Sequence, residues 1–195
     1  MKRQITVSQY RTVDLTILAV ILAVIQILIH FAASLWFRDQ LYVVSPVAVV
    51  VALVMMRWNG YGAVHAVLGG ILYSILAGGT WQHTLIYGIG NLFALLALVL
   101  FAIIGKEKVR QNVIYSLLFA FCTQGLMLLG RAVVAKILGF SWDACLGFIT
   151  TDILSVLLTL CGVWAVRRMD GLFEDQIQYL LRIQQEQNVE GGEQL

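Results

Sequence analysis

Long apolar runs alternate with short polar breaks along this chain, and the runs predict its elements. Six stand out, from about Leu15 to Phe37, Leu41 to Met56, Tyr61 to Ala77, Thr84 to Ile104, Val113 to Leu138 and Cys145 to Val166. A helix that crosses a bilayer needs roughly 20 predominantly apolar residues. The second run is the shortest, and the only competing count merges or drops it. It is joined to the third by RWNG, a turn-like break. The apolar residues are continuous rather than alternating in ~10-residue segments, which excludes a membrane barrel. In lipid each backbone polar group must be bonded within its own helix. The expectation is an all-α membrane protein, a bundle of six transmembrane helices over residues 1–168.

Behind the last run comes RRMDGLFEDQIQYLLRIQQEQ, in which Phe173, Ile177, Leu180 and Leu181 recur at helical spacing among charges and glutamines. Residues 169–195 therefore predict a cytoplasmic amphipathic helix, on the membrane surface or against a partner, followed by a disordered tail. A solvated helical tail is the simpler reading of the same pattern.

Composition agrees with the pattern. Of 195 residues 60% are hydrophobic and 12% charged, against about 45–50% and about 25% in a soluble domain. A soluble core could not hide so much apolar surface, so lipid must solvate part of it. No cleavable leader is expected, because the start is polar for too long and the run behind it is long enough to span. Cys122, Cys145 and Cys161 sit in apolar runs without metal or CxxC spacing and read as small buried hydrophobes.

Charge placement sets direction. With the N-terminus inside, Lys2, Arg3, Arg11, Arg57, Lys106, Lys108, Arg110, Arg167, Arg168 and Arg182 fall on the inner side, and only Arg38 and Lys136 on the outer. Ten against two follows the positive-inside rule and predicts both termini in the cytoplasm.

Polar groups inside spans are costly and are functional candidates by default. His30, Asn91, Arg131 and Asp152 each lie about seven residues from the outer end of a different helix, roughly 10–12 Å deep. Above this layer come Ser34, Trp36, Arg38 and Tyr42, then Trp81, His83 and Tyr87, then Trp142 and Asp143. Gln26, Gln124, Thr150 and Thr151 border it. The pattern predicts an outward-open pocket with a polar floor and an aromatic rim. Arg131 is suited to clamp a carboxylate or phosphate. Asp152 either accepts from an amine or neutralises Arg131 in a structural ion pair. The aromatic residues serve equally as an interfacial belt. His30 and His83 lack ligand spacing, so no metal and no cofactor is expected. The glycines from Gly60 to Gly90 allow close helix approach but form no phosphate loop, and no nucleic-acid partner is expected.

Helix one carries Ala19 and Ala23 in LAVILAV, a small-xxx-small face that meets another helix or protein. Together with SPVAVVVALVMMRWNGYGAVHAVLGGI across helices two and three, the layout resembles the S component, the substrate-binding membrane subunit, of energy-coupling factor (ECF) vitamin transporters. The resemblance implies a non-enzymatic, multi-pass subunit of a bacterial plasma membrane that binds a vitamin or related micronutrient from outside. It implies that Ala19 and Ala23 contact a membrane T component and that two cytoplasmic ATPases supply energy. It implies a pocket in the outer halves of helices four to six and the first loop. The riboflavin, thiamine, biotin and folate signatures are not matched, nor is the N-terminal histidine of the nickel and cobalt type, so the substrate stays open. Two other classes stand beside this one: a structural or scaffold subunit of a cell-envelope complex, and an intramembrane enzyme. The second lacks HExxH and a GxSx serine paired with histidine.

Overall fold

The computed structural model describes residues 6–36 and 44–192; the side chains of Trp36 and of residues 187–192 are outside that description, as are Arg38 and Tyr42 entirely. No strand occurs among the described residues. The helices are α1 (Val7–Trp36), α2 (Val47–Trp58), α3 (Gly62–Leu76), α4 (Trp81–Gly90), α5 (Val99–Ile103), α6 (Lys106–Gln111), α7 (Val113–Ile137), α8 (Trp142–Thr150), α9 (Ile153–Val166) and α10 (Gln176–Gly192). A 3-10 stretch, Asn91–Leu98, joins α4 to α5 in one rod.

Five segments are long and apolar enough to cross a membrane: Val7–Leu35, Val47–Leu76, Trp81–Ile103, Val113–Ile137 and Trp142–Val166. The chain is thus a multi-pass, all-α membrane protein. The expected second and third spans fall within one of these segments, but that segment is not one rod. Asn59 has φ 51°, and a 3-10 turn, Asn59–Tyr61, reverses the chain. A Cβ on Gly69 would meet Val47 at 2.8 Å, and one on Gly62 would meet Met55 at 2.6 Å. In a straight helix Val47 and Gly69 would be roughly 33 Å apart. α2 and α3 are therefore an antiparallel hairpin.

α2 is the centre of the bundle. VAVVVALVMM has no polar face, and a helix apolar all round must be covered all round. Eleven of its 12 residues are buried, against α1, α3, α7 and α9. At 12 residues it is roughly 18 Å long, too short to cross alone. α1 has the opposite design. Its buried seam is Leu18, Leu22 and Gln26, four residues apart, and Ile17, Val20, Ile21, Val24 and Leu28 are exposed beside it. Ala19 and Ala23 flank the seam, half-buried.

The basic residues gather at one end. Asp14 accepts from Arg57 Nε at 2.8 Å and Nη2 at 2.6 Å, and also from the Trp58 indole. Arg57 Nη1 donates to the carbonyls of Gly171 and Leu172. Lys106 pairs with Asp175, and Arg110 with Glu107 and Glu174. Tyr10 donates to Gln176. The first turns of α1 and the start of α10 thus share this end.

Two expectations are corrected here. Phe173 is not on the amphipathic helix; it is buried in the main core ahead of α10, because the ion pairs of 174 and 175 pin that segment against the bundle. Only Ile177 and Leu181 of the predicted stripe are exposed on α10. Of the three free cysteines only Cys145 is buried; Cys161 is exposed on α9 and Cys122 is intermediate.

Candidate functional site

A polar cluster lies inside the bundle, toward the end opposite the basic one. Asn91 enters where α4 passes into the 3-10 stretch, Arg131 from α7, and Asp152 from the break between α8 and α9. Arg131 and Asp152 are 2% and 1% exposed and form an ion pair through Nη1 and Oδ2. Arg131 Nε donates to Asn91 Oδ1 at 2.8 Å, and Asn91 Nδ2 donates to the Ala66 carbonyl of α3 at 3.1 Å. The Tyr87 ring lies 4.5 Å beneath the guanidinium carbon, a cation–π contact that strengthens as water is removed.

The network runs on from Asp152. Its other carboxylate oxygen accepts from Ser155 Oγ, and Ser155 Oγ accepts from the Ser45 amide at 2.9 Å. Ser45 Oγ donates to Gln26 Oε1 at 3.1 Å, which ties α1 into the layer. Gln124 Nε2 is 3.5 Å from Asp152 Oδ2, and Thr159 donates to the Ser155 carbonyl at 2.7 Å. Among the described residues Arg131 and Asp152 thus face each other and neutral dipoles, the arrangement a buried ion pair requires.

Glycine makes this approach possible. A Cβ on Gly90 would sit 2.7 Å from the Arg131 Cα, one on Gly130 would strike the Gly90 carbonyl and Phe93, and one on Gly70 would strike the Tyr87 carbonyl. The backbones of α3, α4 and α7 therefore touch around the cluster, as small residues permit in lipid.

An aromatic group adjoins the pair. The rings of Tyr73 and Tyr87 are 4.6 Å apart, Phe148 is 5.9 Å from Tyr87, and His83 is 6.0 Å from Tyr87 and 6.1 Å from Phe148. Between α7 and α8 an apolar groove of about 370 Å³ is lined by Leu129, Ala132, Val133, Cys145 and Leu146, with Lys136 and Trp142 among its walls. Lys136 Nζ stands 4.6 Å over the Trp142 ring.

The structure thus brings together Asn91, Arg131, Asp152, Tyr87 and, in the second rank, His83. It does not bring in His30. That side chain is half-buried on α1, contacts Phe31, and makes no hydrogen bond among the described residues. Equal depth fixes height but not direction round the helix, and the α1 residue that points inward is Gln26. Trp81 and Trp142, 65% and 68% exposed, lie at the surface rather than over the cluster. The Thr150 and Thr151 hydroxyls return to carbonyls of their own helix. Trp36 ends α1, with its side chain outside the description.

Three participants were not singled out from the sequence: Ser45, Ser155 and Tyr73. Ser155 carries a readable signal, since it follows Asp152 by three residues and so shares its helical face. Small hydroxyls satisfy themselves on their own backbone in many helices, so they do not advertise a network.

No protein-family model, no curated protein and no solved structure matches this chain.

Proposed function

We propose that this chain is the substrate-binding subunit of an ECF-type importer in a bacterial plasma membrane. It captures a vitamin or related micronutrient from the outer side, above and around Asn91, Arg131 and Asp152. A membrane T component and two cytoplasmic ATPases complete the transporter, with Ala19 and Ala23 on the coupling face of α1. The observation that carries the reading is the convergence of Asn91, Arg131 and Asp152, with Tyr87, in one half of the bundle. Intramembrane ionisable groups are expensive, and function is the default reason for keeping them. The reading takes six crossings, with α2 and α3 counted as two. The ten-to-two bias of basic residues supports the reading that both ends are cytoplasmic, with the polar cluster in the outer half. No catalytic role is assigned.

The test is affinity purification of the tagged chain from its native membrane with quantitative mass spectrometry. Recovery of two ATPases and one further membrane subunit in fixed ratio supports the proposal. Recovery of wall-synthesis enzymes without ATPases overturns it in favour of the scaffold reading. That second reading is favoured by one observation: Arg131 and Asp152 satisfy each other almost completely out of contact with solvent.

A further inference from the structure

We infer that the molecule this site accepts is a zwitterion, carrying a cationic and an anionic group on a flat, ring-bearing body. The inference rests on reading the chain as a substrate-binding subunit, and it names the class of substrate.

The argument is one of charge. Arg131 and Asp152 are both buried, and among the described residues each has one opposite charge for a partner. The other contacts are neutral: Asn91 and the Tyr87 face for Arg131, Ser155 and Gln124 for Asp152. A ligand that is only an acid can reach Arg131 by taking the place of Asp152. It then leaves a carboxylate buried without a counter-charge, which is strongly unfavourable. A ligand that is only a base strands Arg131 in the same way. A neutral ligand opposes neither charge. A molecule with both groups enters between the two side chains and gives each an opposite charge, so no buried charge is left alone. The hydrogen bonds that Arg131 makes to Asn91 and that Asp152 accepts from Ser155 and Gln124 stay in place and fix the direction in which it enters.

Two further observations point to a partner in the same layer. Gln26 is fully buried, and its Nε2 has no hydrogen-bond partner among the described residues, although its Oε1 is tied through Ser45 and Ser155 to Asp152. On the other flank the His83 Nδ1 atom is buried beside Tyr87 and Phe148, without a hydrogen-bond partner among the described residues. Buried polar atoms are almost always bonded, and each exception asks for an explanation. An amide donor on one side and a ring nitrogen on the other suit a ligand with polar edges. The rings of Tyr73, His83, Tyr87 and Phe148 supply the faces and edges against which a flat body packs.

The test is native mass spectrometry of the full-length protein in detergent, incubated with an extract of the small molecules of the expressing cells and then washed. The expected result is one retained species that carries both an acid and a basic group. The variant R131M/D152L, which removes both charges together, is expected to retain at least about 100-fold less of it, below the roughly 10⁴-fold loss seen when a site built for polar groups meets a partner that lacks them. R131Q/D152N, which keeps size and hydrogen bonding without charge, gives the same loss and serves where the first variant does not fold. A retained species that is singly charged or neutral overturns this inference and leaves the transporter reading standing. A zwitterion retained equally by the folded double variant overturns it as well. Retention of nothing by the wild-type protein overturns the substrate-binding reading itself, and the inference with it.

Discussion

Arg131 stays charged in the interior because three neighbours replace the water it lost: Asp152, Asn91 and the face of Tyr87. The arrangement is sensitive to imbalance. Removing one member of a buried pair leaves the other uncompensated and costs about 3–5 kcal/mol, whereas replacing both by apolar groups is often neutral or stabilising. We therefore expect R131A or D152A alone to unfold at markedly lower temperature or denaturant, and R131M/D152L to unfold close to wild type. Equal, additive losses in the single and double variants would contradict the pairing. At Gly130 any side chain meets the Gly90 carbonyl and the Phe93 ring. G130A should cost about 1–3 kcal/mol, the usual range for overpacking, read in the same unfolding assay. Asn91, Arg131 and Asp152 were legible in the sequence because each interrupts an apolar run, and the interruption reports its depth. Gln26 was legible only as a border residue and Ser45 not at all. His30 shows the limit of the depth argument, since a residue at the right height can still point away from the cluster.

At the scale of elements, the α2–α3 hairpin depends on a reversal at Asn59. The backbone there, φ 51° and ψ −122°, is one that side-chain-bearing residues adopt with strain of order 1 kcal/mol and that glycine adopts freely. N59G is expected to raise the melting temperature, and N59V to lower it; the opposite order would show that Asn59 is not held in this conformation. The sequence announced a turn at RWNG but not which residues of the two helices would face each other. Pairing is decided by shape, with Gly62 and Gly69 receiving Met55 and Val47. Nor did it announce that Arg57 would be bound to Asp14 rather than free at the membrane surface. α6 has a smaller dependence of its own. Hydrogen bonds from Arg110 hold the Glu107 carboxyl below the usual carboxylate range. A carboxyl held low stabilises the fold above the ordinary carboxylate range, and that contribution disappears as pH falls through its lowered value. Melting followed from pH 7 to pH 4 should therefore show a small loss that E107Q lacks. The effect is small because Glu107 is half exposed and solvent screens the pair.

The whole molecule has two unlike ends. One is a web of ion pairs joining α1, α2, α6 and the segment leading into α10. The other holds the buried pair, the aromatic group and the groove behind α8. Membrane class was legible from composition because too much of the chain is apolar to fold in water. The docking of residues 171–176 was not, because the interactions that hold it join positions 57, 106 and 110 to a segment more than 60 residues away. On this account the ionic end faces the cytoplasm and the energy-supplying subunits, and the other end takes the substrate. The most direct test is thermal unfolding of the purified full-length chain against a panel of vitamins and related micronutrients. A ligand at about 100 times its dissociation constant adds roughly 2.7 kcal/mol to stability, a shift of several degrees for a domain of this size. The account predicts such a shift for one compound with the wild-type protein and none for the folded R131M/D152L variant. A panel that leaves the wild type unmoved, or a compound that shifts both proteins equally, would contradict it.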